Sequence, residues 1–218
     1  MPSTRYQKIN AHHYRHIWVV GDIHGEYQLL QSRLHQLSFF PEIDLLISVG
    51  DNIDRGPESL DVLRLLNQPW FTSVKGNHEA MALEAFETGD GNMWLASGGD
   101  WFFDLNDSEQ QEAIYLLLKF HHLPHIIEIT NDNIKYAIAH ADYPGSEYLF
   151  GKEIAESELL WPVDRVQKSL NGELQQINGA DYFIFGHMMF DNIQTFANQI
   201  YIDTGSPNSG RLSFYKIK

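Results

Sequence analysis

Short apolar runs recur at regular intervals through the first third of the chain. Residues 17–20 and 45–49 are nearly unbroken in hydrophobic side chains, as buried strands are, and residues 71–74, with Phe71 and Val74 at the ends, read as a third strand. Between them the period changes from two to nearly four. Residues 27–37 carry Leu29, Leu30, Leu34 and Leu37 on one helical face, and residues 58–66 form a second helix opened by Pro57, where a missing N–H is harmless. Residues 80–86 begin a third helix. The order strand-helix repeated three times predicts parallel strands joined by right-handed crossovers.

The stretch from 89 to 125 is less regular. Gly89, Gly91, Gly98 and Gly99 interrupt it, and Trp94, Trp101, Phe102 and Phe103 crowd around them, which predicts core aromatics under a glycine-rich bend, with a substrate groove as the minority reading. Ser108 is placed to cap a helix over 109–118. Beyond it the pattern turns strand-rich, at 125–129, 134–139, 182–185, 200–203 and 212–217, with a turn at Asn131-Asp132-Asn133 and a helical stretch over 153–170. No repeat, low-complexity tract or linker divides the chain, so one domain over 1–218 is expected.

Each early strand ends in a phrase rich in ligand atoms: Gly21-Asp22-Ile23-His24-Gly25, Gly50-Asp51-Asn52-Ile53-Asp54-Arg55-Gly56 and Gly76-Asn77-His78-Glu79. Asp51 lies 29 positions after Asp22, and Asn77 lies 26 after Asp51, about one strand-helix-strand repeat each time. That spacing brings three ligand loops to one edge of one sheet. His140 and His187 follow two later strands, and strand ends are where open α/β sheets hold ligands. The set Asp22, His24, Asp51, Asn77, His140 and His187 offers carboxylate, carboxamide and imidazole without thiolate, which suits divalent ions such as Mn, Fe or Zn. Asp51, in the middle, could bridge two ions roughly 3.5–4 Å apart, and such a pair supplies hydroxide at neutral pH for attack on a phosphate ester. His78 could protonate the leaving oxygen, with Asp54 orienting it, and Arg55 offers a planar fork for phosphate oxygens.

These three phrases, with His140 in His-Ala-Asp and with Gly186-His187, resemble the calcineurin-like metallophosphoesterases. His140-Ala141-Asp142-Tyr143-Pro144, Gly98-Gly99 before Trp101-Phe102-Phe103, and Tyr201-Ile202-Asp203-Thr204-Gly205 narrow the likeness to serine/threonine protein phosphatases of the bacteriophage lambda type, over nearly the whole chain. The resemblance implies an α/β fold of two mixed β-sheets packed in a sandwich flanked by helices. It implies one ion on Asp22, His24 and Asp51 and a second on Asp51, Asn77, His140 and His187, with Mn the usual activator and Fe, Zn, Ni or Co as alternatives. His78 and Asp54 would be the acid pair, and Arg55 would bind phosphate. Phage-type relatives also carry an arginine two residues after a tryptophan. Here Val163 stands at that place, and Arg165, two positions on, is the candidate substitute.

The remaining features narrow the class. The chain carries 15 basic against 29 acidic residues, and so acidic a balance argues against a nucleic-acid partner. No apolar run is long enough to span a membrane. The absence of cysteine excludes thiol chemistry and fits the cytoplasm, and residues 1–16 carry no signal-like apolar core. Phosphorylated proteins are the expected substrates. Two alternatives stand beside this reading: hydrolysis of diadenosine tetraphosphate and related dinucleoside polyphosphates, and a non-catalytic scaffold used as a binding module. Glu79 reads as favourable first-turn helix charge. His12, His13 and His16 read as solvated or strand-edge residues, and His121, His122 and His125 as structural.

Overall fold

The computed structural model describes residues 4–218, so the first three positions of the polar N-terminal stretch lie outside the described residues. In chain order the elements are β1 (Tyr6–Asn10), β2 (Ile17–Val20), α1 (Tyr27–Gln36), β3 (Leu45–Ser48), α2 (Ser59–Arg64), β4 (Phe71–Ser73), α3 (Asn77–Thr88), α4 (Asn92–Ala96) and α5 (Asp107–Leu117). There follow β5 (Ile126–Asn131), β6 (Ile134–Ile138), α6 (Ser157–Leu160), α7 (Asp164–Leu170), β7 (Tyr182–Phe185), β8 (Gln194–Phe196), β9 (Gln199–Tyr201), α8 (Ser206–Ser209) and β10 (Phe214–Lys216). No described helix is long and apolar enough to cross a membrane.

Among the described residues the strands form two mixed sheets, in the orders β10-β2-β3-β4 and β1-β5-β6-β7-β9-β8. The predicted parallel trio is β2, β3 and β4, and its register sets where the ligand loops open. Val20 lies opposite Ser48, and Ser48 opposite Ser73, so the turns after all three strands emerge at one edge. In the second sheet β6 and β7 are parallel with Ile138 opposite Ile184, which puts the turns bearing His140 and His187 side by side.

The sheets stack face to face. Ile17, Val19, Leu45 and Ile47 point inward from one, and Ile127, Ile129, Ile138, Ile184 and Ile200 from the other, forming one buried cluster. The alternation in β2 explains the split: Ile17 and Val19 face the other sheet, while Val20 packs outward with Leu30, Leu34 and Val62 beneath α1 and α2. Full burial of such a side chain stabilises the fold by about 1.5–3 kcal/mol. The outer face of the second sheet is covered by the segment containing α6 and α7, through Leu159, Leu160 and Val166 against Ala137, Phe183 and Phe185.

Several local expectations need correction. β1, with the sequence Tyr6-Gln7-Lys8-Ile9-Asn10, precedes the predicted first strand and pairs in parallel with β5. It is an edge strand, and its polar residues hide it from a hydrophobicity pattern. Asn106, not Ser108, caps α5: its side chain accepts the amides of Ser108 and Glu109, and Glu109 reaches back to complete a capping box. The stretch 153–170 is two short helices rather than one. α3 starts at Asn77, so Asn77, His78 and Glu79 occupy its first turn. Phe103 is 64% exposed, unlike its buried neighbours Trp94, Trp101 and Phe102.

Candidate metal centre and acid pair

The turns at the edge of the first sheet and those after β6 and β7 meet. Asp51 stands between them: its Oδ2 lies 3.8 Å from His24 Nε2, and its Oδ1 lies 3.4 Å from His140 Nε2. Asn77 Oδ1 is 2.7 Å from His140 Nε2 and 3.0 Å from His187 Nδ1. The Asp22 carboxylate accepts the His187 backbone amide at 3.1 Å and 3.3 Å. The side chains of His24, Asp51, Asn77, His140 and His187 therefore meet, and Asp22 is joined to them through the His187 backbone amide; Asp22, His24, Asp51, Asn77 and His140 are buried.

The backbone that presents them is strained. His24, Asp51, Asp54, Arg55 and His187 all have φ between 48° and 75°, a region that non-glycine residues seldom occupy. The packing is close enough to demand glycine at Gly186, where a Cβ would lie 2.1 Å from Asp22 Oδ1. Glu79 locks two of the turns together. Its carboxylate accepts the amides of Asp51 (2.9 Å), Asn52 (2.8 Å) and Gly76 (2.7 Å), and the Asn52 side chain at 3.1 Å. First-turn helix charge is thus only part of what Glu79 does; nothing in the sequence indicates that this side chain faces the turn after β3.

The donor set fits divalent cations on two grounds. His24 Nδ1 lies 2.9 Å from the Ile53 carbonyl and His140 Nδ1 lies 2.8 Å from the Val49 carbonyl. Donation from Nδ1 leaves each Nε2 facing the centre, which is how metal-binding histidines are usually oriented. The second ground is charge. Burial, reinforced by Asp203 and Asp51, holds the Asp22 carboxyl well above the ordinary carboxylate range. Asp51 goes the other way: burial opposes its ionisation, but His140 and His78 outweigh it and hold it well below that range. His140, penalised by burial but facing Asp51, is pushed up to about 10, while burial takes His24 down to about 3 and His187 to about 4. Buried acids repelling one another among imidazoles are a locus that bound cations would neutralise.

Ligand atoms of Asp51, His140 and His187 lie within 4.8 Å of one another, as do those of His24, Asp51 and His78. The second group holds His78 in the place expected for Asp22. His78 is otherwise engaged: its Nδ1 lies 2.7 Å from Asp54 Oδ2, with both side chains buried. Burial disfavours its protonation, but Asp51 and Asp54 outweigh that and raise its pKa. Arg55 spans the mouth, donating to His24 Nε2 at 2.8 Å and to His78 Nε2 at 3.0 Å.

Arg165 is placed differently from the expectation. Its Nε donates to Asp142 Oδ1 at 2.9 Å, and its terminal nitrogen to the carbonyls of Tyr143 (3.0 Å) and Gly145 (2.6 Å). With its side chain only 8% exposed, it braces the loop after His140 instead of offering a free fork to phosphate. Of the other histidines, His125 is buried against Glu156 at 3.0 Å and His121 lies 3.3 Å from Glu87, both structural contacts.

A family model for calcineurin-like phosphoesterases matches residues 15–190. The chain is 99% identical to serine/threonine-protein phosphatase 2 of Escherichia coli (strain K12) across the full length of both. It is 44% identical to serine/threonine-protein phosphatase 1 of Salmonella typhimurium (strain LT2) over 100% of this chain and 99% of that one. Among solved structures, one provisionally named a diadenosine tetraphosphatase superposes with a TM-score of 0.72 at 23% identity, covering 98% of this chain and 94% of its own.

Proposed function

This chain belongs to the calcineurin-like phosphoesterase family, and from that premise we propose that it is a metal-dependent serine/threonine protein phosphatase hydrolysing phosphomonoesters. The phosphatases it matches end to end support the protein-phosphatase reading. One observation carries the chemistry: Asp51 has the Nε2 of His24 at 3.8 Å from one oxygen and the Nε2 of His140 at 3.4 Å from the other, so that its carboxylate would serve both ligand groups.

In this reading Asp22, His24 and Asp51 would hold one divalent ion, and Asp51, Asn77, His140 and His187 would hold the other, with Mn the metal of choice. Bound there, the ions supply charge neutralisation and an activated water for attack on phosphorus. The protein's own groups do the rest. Asp54 keeps the His78 Nδ1 proton in place, so that Nε2 is the nitrogen free to give a proton to the departing serine or threonine oxygen. Arg55 covers that Nε2 and the Nε2 of His24 alike. Its guanidinium would swing from the two imidazoles onto the phosphate oxygens, leaving His78 Nε2 open to take up from solvent the proton it then gives to the leaving oxygen, an uptake that Asp51 and Asp54 favour. Arg165 serves by holding the loop after His140.

Phosphorylated proteins are the substrates in this account. The cytoplasm is its setting, which the cysteine-free composition supports. Diadenosine tetraphosphate hydrolysis is the runner-up, and the likeness to a provisional tetraphosphatase bears on fold alone. Initial rates on a phosphoserine peptide and on diadenosine tetraphosphate, with Mn²⁺ added, separate the two. Faster turnover of the peptide is expected; preference for the dinucleotide would replace this proposal with the other.

A further inference from the structure

Asp54 is the hub of a hydrogen-bond arrangement that the acid pair alone does not account for. It is 0% exposed. One oxygen, Oδ2, faces His78 Nδ1 at 2.7 Å. The other, Oδ1, accepts two indole N–H groups, from Trp101 at 2.8 Å and Trp94 at 2.9 Å, and the Trp94 N–H is shared with Oδ2 at 3.1 Å. The indoles meet edge to face, with ring centroids 6.2 Å apart and planes at 85°. A carboxylate gripped through both oxygens, from three directions, cannot rotate about its own axis without breaking a contact.

The glycine-rich bend exists to seat these rings. A Cβ on Gly99 would lie 2.5 Å from the Trp94 ring, so only glycine lets that indole pack against the chain. Gly98, at φ 103°, accepts the Arg55 amide through its carbonyl at 3.1 Å, and a Cβ there would meet the Arg55 backbone nitrogen at 2.8 Å. One bend thus supports both the orienting carboxylate and the backbone of the phosphate arginine.

Resting on the phosphatase reading above, we infer that Trp94 and Trp101 are positioning residues for proton delivery: their N–H groups fix the Asp54 carboxylate so that His78 presents Nε2 at the leaving oxygen. The ring carbons serve packing, and the N–H groups serve the reaction. Losing an N–H while keeping an aromatic ring should therefore hurt substrates in proportion to how badly their leaving group needs a proton.

The test is W101F, with W94F beside it, assayed with Mn²⁺ on a phosphoserine peptide and on p-nitrophenyl phosphate. W101F is expected to lower kcat on the peptide roughly 10-fold or more while changing the aryl rate less than about 3-fold, with KM on both substrates within about 2-fold. W94F, whose N–H is shared between both oxygens, should show the same selectivity. W101H, which restores a ring N–H, should recover part of the peptide rate. Should W101F fail to fold, as judged by circular dichroism, W94F carries the comparison. Equal losses on both substrates, or no loss on either, overturn the inference. An H78N enzyme without leaving-group selectivity would instead remove the acid assignment beneath it, a separate failure read in the same assay.

Discussion

The carboxylate of Glu79 accepts the backbone amide of Asp51 at 2.9 Å, tying the first turn of α3 to the turn after β3. With the Asn52 and Gly76 amides on the same group, it joins two loops that each supply a proposed ligand, Asp51 and Asn77. Replacing Glu79 by Gln keeps the shape but removes the charge and turns one acceptor into a donor facing amides. The expected loss is about 3 kcal/mol of stability, read as a lower urea midpoint with unchanged slope. An unchanged midpoint would mean that the loops hold their places without it.

The acid role of His78 predicts a leaving-group signature. Replacing it by Asn should lower turnover of a phosphoserine peptide by about 100-fold or more, yet slow p-nitrophenyl phosphate by less than about 10-fold, because the aryl oxide leaves without a proton. Equal losses would take His78 out of that role.

Gly186 has no room for a side chain beside Asp22. The variant G186A would place a methyl group 2.1 Å from Asp22 Oδ1 and 2.5 Å from Val49 Cγ2, and the carboxylate is the softer neighbour. The expected result is loss of about one bound ion per chain by elemental analysis, with activity falling alongside. Full metal content in G186A would show that Asp22 is not needed as a ligand.

Away from the centre, Glu156 joins Lys75 Nζ at 2.8 Å and His125 Nε2 at 3.0 Å, pinning the start of the Gly76-Asn77-His78 turn to the segment before α6. Burial raises its pKa, but hydrogen bonds from His125 and Lys75 dominate and bring it from 4.5 down to about 2. A depressed folded-state carboxylate stabilises above its unfolded pKa and loses that stabilisation as pH falls through the folded value. E156Q should therefore be less stable than the parent by about 2 kcal/mol at pH 7, a figure discounted for the side chain's partial exposure. The gap should narrow from about pH 4.5 and close near pH 2. A gap independent of pH in denaturant titrations would show that packing, not charge, makes the difference.

How far the sequence could be read depends on what kind of signal each residue carries. β2 and β3 announce themselves because strands buried on both faces are apolar throughout. The loops bearing Asp22 and Asp51 are legible for the same reason, since each follows such a run, whereas β4 ahead of Asn77 carries Thr72 and Ser73. β1 was hidden by its edge position, where Gln7, Lys8 and Asn10 are tolerated. Trp94 and Trp101 read as core and are core; that their N–H groups aim at Asp54 is a matter of orientation, which composition does not carry. Glu79 and Arg165 are alike in this. Each is a charged side chain whose partners lie far along the chain or on backbone atoms, so no local pattern marks Glu79 as a loop clamp or diverts Arg165 to Asp142. The positive φ angles at His24, Asp51, Asp54, Arg55 and His187 are equally silent, because the usual marker of that conformation is glycine.

Cations held around Asp51 are the premise on which the whole mechanism stands. The direct measurement is metal content and initial rate on a phosphoserine peptide in the same preparation, before and after chelation and again after Mn²⁺ is restored, for the parent and for D51N. The parent should bind about two ions per chain, lose its activity with them and regain both, while D51N should retain neither full occupancy nor more than about 1% of the rate. A parent enzyme that still hydrolyses the peptide at its full rate once stripped of metal would contradict it.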